Sequence, residues 1–278
     1  MSRSGLSLDS RGMIATVGVC VAITFPTGAV ADEVEELFNA LGLAEIIAVM
    51  QVEGIEYGDQ IATDMLAGRS PDDWQETVRK IYSYERMEGA VLAGLRAELE
   101  GTDIAAMTAF FEAEPGRSIV ALEVSGRQAL LDDAVEEAAK DALADAEGSA
   151  RLELVRDYIA ANDLVETNVV GALNSNYAFY TGLVGGGAFD LTDDQILTEV
   201  WASEPEIRAN TTAWIESFLL MAYAPLSDDD LEVYVAFSET EAGQELNSAL
   251  FATFDPLFED ISMALGLGAA RFLAGEEL

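Results

Sequence analysis

One eight-residue word is echoed further along the chain: Ala109-Phe110-Phe111-Glu112-Ala113-Glu114-Pro115-Gly116 is answered 127 positions later by Ala236-Phe237-Ser238-Glu239-Thr240-Glu241-Ala242-Gly243. At the same offset Trp74 falls on Trp201 and Asp103 on Asp230. Upstream, the segment Val34 to Glu45 resembles Val155 to Glu166 at an offset of 121, so six extra residues must lie between, with the glycine-rich run Gly182 to Gly187 as the expected place. A chain that carries one pattern twice must bury two similar apolar faces. Two copies are too few for a solenoid, which needs more units and capping ends. The expectation is a pseudo-symmetric pair of modules, residues 32–147 and 148–278, joined near Glu147-Gly148-Ser149.

Both copies read as helical. Apolar residues recur at three and four, as in Ile46, Met50, Tyr57, Ile61 and Met65, and again in Leu246, Leu250, Phe254, Leu257 and Ile261. Helix starts are marked by Ser70-Pro71-Asp72-Asp73, Thr192-Asp193-Asp194-Gln195, Ser203-Glu204-Pro205-Glu206 and Ser227-Asp228-Asp229-Asp230. Acids in a first turn also stabilise the positive end of the helix dipole. No alternating strand pattern is present, so the expected class is all-α.

The first residues point to export. Arg3 and Arg11 precede an apolar run from Met13 to Phe25, and Pro26 leads to Ala29-Val30-Ala31, the pattern of a signal peptide cut before Asp32. The run is too short to span a bilayer, so the mature chain is expected to have no membrane span and to be periplasmic. The lone cysteine, Cys20, lies inside this run after Val19 rather than a small residue, which argues against a lipid anchor. The mature chain then has no thiol, and its core alone must hold it together.

Charge narrows the partners. Without residues 1–31 the chain carries 12 basic and 50 acidic side chains, a net charge of −38, and each half contributes −19. Nucleic acid and anionic membrane surfaces are thereby disfavoured, while a cationic or amphipathic peptide or small molecule fits. Only two lysines occur, Lys80 and Lys140, and such surfaces suit salt, which screens self-repulsion. The melting temperature should therefore rise between low and molar salt in a calorimetric scan, and a flat or falling curve would contradict this reading.

The repeated Phe-x5-Gly word has a physical sense. Phe237 is delivered to the core, Thr240 caps the following helix, and Gly243 in its first turn lets that helix approach the preceding one closely. In the other copy Ala113 is a poor cap and Pro115 can occupy the first helical position before Gly116. Phe110, Phe111, Gly116 and Arg117, with Phe237, Thr240, Gly243 and Gln244, resemble the pattern of an exported proteobacterial family known as domain of unknown function 2059. The resemblance implies export and a helical fold, and it supplies no catalytic residues.

Chemistry is sparse. The chain has no histidine, which removes the commonest general base, the usual triads and imidazole ligation of metals. Gly116-Arg117-Ser118 lacks the closing glycine of a nucleophile elbow, and Gly182 to Gly187 fits no phosphate loop and reads as a flexible connector. Asp228, Asp230, Glu232 and Glu239 mimic a calcium loop, but Val233 stands where its turning glycine belongs. Glu112 and Glu114, matched by Glu239 and Glu241, are spaced two apart and so do not face each other on a helix. No catalytic, cofactor or metal residues are expected. Trp74 and Trp201 are most simply core residues, and they become the ligand-contact candidates if exposed beside a groove. The expected role is a non-catalytic binding or interaction module, and the alternative is a carboxylate-based hydrolase.

Overall fold

The computed structural model describes residues 27–66 and 71–274, and every regular element in them is helical. Most of the signal-peptide stretch, residues 1–26, and the cap residue Ser70 lie outside the described residues. The helices are α1 (Thr27–Ala40), α2 (Leu43–Ile61, continued by a π-helical turn, Ala62–Leu66), α3 (Pro71–Ile81), α4 (Tyr84–Glu98), α5 (Ile104–Glu112), α6 (Gly116–Ala129) and α7 (Asp133–Asp145). They are followed by α8 (Ala150–Ala161), α9 (Leu164–Gly185), α10 (Asp193–Ala202), α11 (Glu204–Ala222), α12 (Asp228–Ser238) and α13 (Glu241–Ala274). No single helix among the described residues is long and apolar enough to cross a membrane.

Local chemistry sets most of the helix starts. Thr192 and Gln195 form a reciprocal capping box on α10, and the Ser227 hydroxyl accepts from the Asp230 N–H at the start of α12. Ser203 departs from the expected cap. It is at once the C-terminal cap of α10 and the N-terminal cap of α11, and its hydroxyl turns back and donates to the Val200 carbonyl instead. Proline in the first turn of α11, where the missing N–H costs nothing, starts that helix without it.

A continuous core draws on both halves of the chain: Leu37, Ile47, Trp74 and Met107 from the first, and Val155, Tyr223, Leu231 and Leu265 from the second. A smaller cluster of Val169, Leu173, Ile196 and Val200 joins α9 to α10. The long α13 organises the whole, packing on α9 and on α3, α4 and α5. Its crossing with α9 is backbone on backbone. A Cβ added at Gly182 would fall on the Met263 carbonyl, and one added at Gly266 on the Phe179 carbonyl. The glycine-rich stretch is thus not the flexible connector the sequence suggests: Gly182 and Gly185 are helical, and the missing side chain at Gly182 lets α13 come close.

Candidate functional site

One carboxylate is held inside a cluster of tyrosines. Glu123 projects from α6, where Gly126 one turn on packs against Ala222 and lets α6 lie near the end of α11. Tyr223, the residue that closes α11, donates its hydroxyl to Glu123 Oε1 at 2.5 Å, and Tyr234 from α12 reaches the same oxygen at 3.4 Å. Tyr158 from α8 donates to the Tyr234 hydroxyl at 2.9 Å. Ring packing fixes this relay: Tyr158 stacks on Tyr234 at 4.5 Å between centroids, and Tyr223 stands edge-on to Tyr158.

The electrostatics follow from the packing. Part of the Glu123 residue reaches solvent, but its carboxyl group is desolvated by these neighbours, which pushes its pKa up to about 7. The two tyrosine hydroxyls, which favour the anion, offset only part of that rise. Burial, together with the adjacent Glu123 charge, in turn holds Tyr158, Tyr223 and Tyr234 above the ordinary tyrosine range, so all three stay protonated as donors.

Glu123, Tyr158 and Tyr234 form part of the lining of a cavity of about 230 Å³, and Tyr223 stands behind them. Leu41, Phe111 and Val120 come from the first half of the chain, and Asn162, Phe237, Ser238, Asn247, Leu250 and Phe251 from the second. Glu123 is the one formally charged residue in this lining. At the two sequence offsets the lining contains both members of four matched pairs: Leu41 with Asn162, Phe111 with Ser238, Val120 with Asn247, and Glu123 with Leu250. Beside it Phe110 stacks on Phe237, the residue 127 positions on, with centroids 3.9 Å apart and planes 7° from parallel.

The repeated turn borders this cavity, which Phe237 and Gly243 help to line. Thr240 accepts from the Gly243 N–H at 3.1 Å. A Cβ on Gly243 would strike the Phe237 carbonyl, just as one on Gly116 would strike the Phe110 carbonyl. The two helix starts differ by two residues, because Pro115 rather than Ala113 is the cap of α6.

The tryptophans are elsewhere. Trp74 is fully buried, with its indole N–H donated to the Gly58 carbonyl at 2.7 Å and its ring edge-on to Phe272. It has no free face and is removed as a ligand contact. Trp201 is 63% exposed but does not line the cavity. Nor do the two occupy one structural position, since Trp74 lies in the first turn of α3 and Trp201 in the last turn of α10. Buried Ile196 and Val200 take the places on α10 that Trp74 and Val78 take on α3. Glu112, Glu114, Glu239 and Glu241 all face solvent, and the acids of the calcium-like spacing are spread along α12 and its end. Among the described residues no group of three or more metal-ligating side chains comes together.

Sequence reasoning missed Glu123, Tyr158, Tyr223 and Tyr234. A signal was present: at the offsets of 121 and 127, Tyr158, Tyr234 and Glu123 are matched by Leu37, Met107 and Leu250. Leu37 and Met107 are fully buried apolar residues, whereas Tyr234 brings a hydroxyl to Glu123 on α6 and Tyr158 brings one to Tyr234. No family model, curated protein or solved structure matches the chain.

Proposed function

We propose that the chain is two tandem copies of one helical module, exported to the periplasm after cleavage before Asp32, and that the cavity where the copies meet binds a small molecule without transforming it. The duplication is supported by the order of elements, with α1 to α6 answered by α8 to α13 and α7 as the connector. It is supported too by the left-handed residues Gly42 and Asp163, 121 positions apart, which begin α2 and α9. Matched residues lining one cavity, and Phe110 stacked on Phe237, are what a pseudo-twofold axis through that cavity would produce. In this alignment the added length falls in α11, 19 residues against 15 in α4, and in α12, 11 against 9 in α5. The kinship to the exported family rests on the two Phe-x5-Gly turns alone.

The observation that carries the binding reading is the buried Glu123 carboxylate with its tyrosines, placed where the fold is content with leucine and methionine. Such polar groups are costly to bury, and a cavity at a module interface is where ligand sites arise. A hydrolase of the two-carboxylate kind needs a second acid across the cleft, and Glu123 has none in this lining.

Native mass spectrometry on the protein recovered from cells making the full chain tests the proposal. The wild type should begin at Asp32 and carry the added mass of one small molecule. A variant with the residues of the other copy, Glu123→Leu with Tyr234→Met, should fold and lose that mass. A bare wild type, or an adduct indifferent to the variant, would contradict the binding reading, and an uncut start would contradict export.

A further inference from the structure

We infer that the ligand of this cavity is a compact organic monocation, a protonated amine on a small apolar body, which pairs with the Glu123 carboxylate and displaces its proton. The inference rests on the cavity being a binding site and adds the chemistry of its occupant.

A desolvated carboxylate gains from pairing with a cation, and no lysine or arginine lines this cavity. Glu123 Oε1 takes both tyrosine hydroxyls, while Oε2 accepts nothing from the described residues. No hydroxyl of the cluster is left to serve it, because Tyr158 donates to Tyr234, Tyr234 to Glu123, and Ser238 to the Tyr234 carbonyl. Glu123 is half-buried and Oε2 is not sealed from solvent, so it is the carboxylate oxygen open to a donor from a ligand, and a positively charged donor matches the anion best.

The surroundings favour a cation over other occupants. Phe111, Tyr158, Tyr234, Phe237 and Phe251 are among the residues lining the same space, and a cation within about 6 Å of an aromatic ring is attracted to it. An anion would be repelled by Glu123, and a neutral occupant would leave the carboxylate unpaired. The volume, about 230 Å³, is below the roughly 300–1,000 Å³ of drug-sized pockets, so the body must be small.

Proton balance gives the inference a signature. Without ligand the near-neutral acid is largely protonated on the acid side of neutrality. An ammonium needs the anion, so each amine bound there sends one proton to solvent. The other titratable groups facing Glu123 are Tyr158 from α8, Tyr223 from the end of α11 and Tyr234 from α12. Residues lining the cavity from the α1–α2 turn, α5, α9 and α13 carry no charge.

The test is calorimetric titration of the mature full chain with three probes of one shape: phenethylamine, phenethyl alcohol and phenylacetate. At about pH 8 the amine should bind at least about tenfold tighter than the alcohol, with phenylacetate weakest. Near about pH 6, buffers of different ionisation heat should show close to one proton released per amine. Glu123→Gln, which keeps the acceptor for both tyrosines, should remove both the preference and the proton release. Alcohol binding as well as amine, or amine binding without proton release, would overturn the inference and leave the cavity as a ligand site. No binding of the amine would overturn it as well, and a bare native mass spectrum beside that result would remove the underlying reading too.

Discussion

Alanine at Gly266 should destabilise the protein by about 3 kcal/mol, one of the largest losses expected from adding a single methyl group. At roughly 2–4 °C per kcal/mol for a chain of this size, the melting temperature should fall by roughly 6–12 °C. The cause is geometric. The new Cβ would lie against the Phe179 carbonyl on one side and the Leu183 N–H and Gly182 Cα on the other, all backbone, so no side chain can swing away. The helices α9 and α13 would have to part, and their crossing is the broadest helix contact of the fold. Gly89 in α4 is the control, since a Cβ there meets nothing within 4 Å. Gly89→Ala should stabilise by about 0.5–1 kcal/mol through helix propensity alone. A Gly266→Ala protein melting with the wild type would show that the crossing is looser than described.

Glu123→Gln should stabilise the protein at alkaline pH by about 3 kcal/mol, and by little at acid pH. A carboxyl held up to about 7 in the folded chain, against about 4.3 in the unfolded one, binds the extra proton when folded. Folding stability therefore falls as pH rises from about 4.3 to about 7, and then stays level with respect to this group. Glutamine is neutral throughout and keeps an oxygen for the hydroxyls of Tyr223 and Tyr234. Denaturant unfolding at a series of pH values should show two curves that coincide near about pH 4 and separate steadily to about pH 7. Comparing the two proteins cancels the titration of the many surface acids that they share. Parallel curves would mean that the Glu123 carboxyl is solvated in the folded state. That a natural site should carry such a cost fits a position kept for binding rather than for stability.

How much of this was legible in the sequence depends on the scale of the pattern. Helices announce themselves through apolar spacing and caps, both local properties, and Thr192 and Ser227 act as their neighbours dictate. Ser203 misleads because two helices share one residue there, a matter of chain path rather than of the motif. The glycines from Gly182 onward look like a linker in sequence, and only the arrival of α13, some eighty residues later, shows why side chains are absent. Trp74 and Trp201 match by letter at an offset of 127, yet α3 and α10 run at a different register, and the match is lost in space. The candidate site was the least legible part. Its glutamate and tyrosines lie on four separate elements and form no motif. They stand out only when the two halves are laid over each other and the polar residues of one face leucine and methionine in the other.

Glu123 is a half-buried, desolvated carboxyl that no lysine or arginine of the lining pairs, and on the reading proposed above it takes a cation from a ligand. Carbon-13 NMR of the mature protein labelled at glutamate side-chain carboxyls, with Glu123 assigned by its loss in Glu123→Gln, reads this directly. Glu123 should titrate at about 7 in the free protein, with a clear fall in that value when phenethylamine is added. Titration at the ordinary value of about 4.3, unmoved by the amine, would contradict that reading.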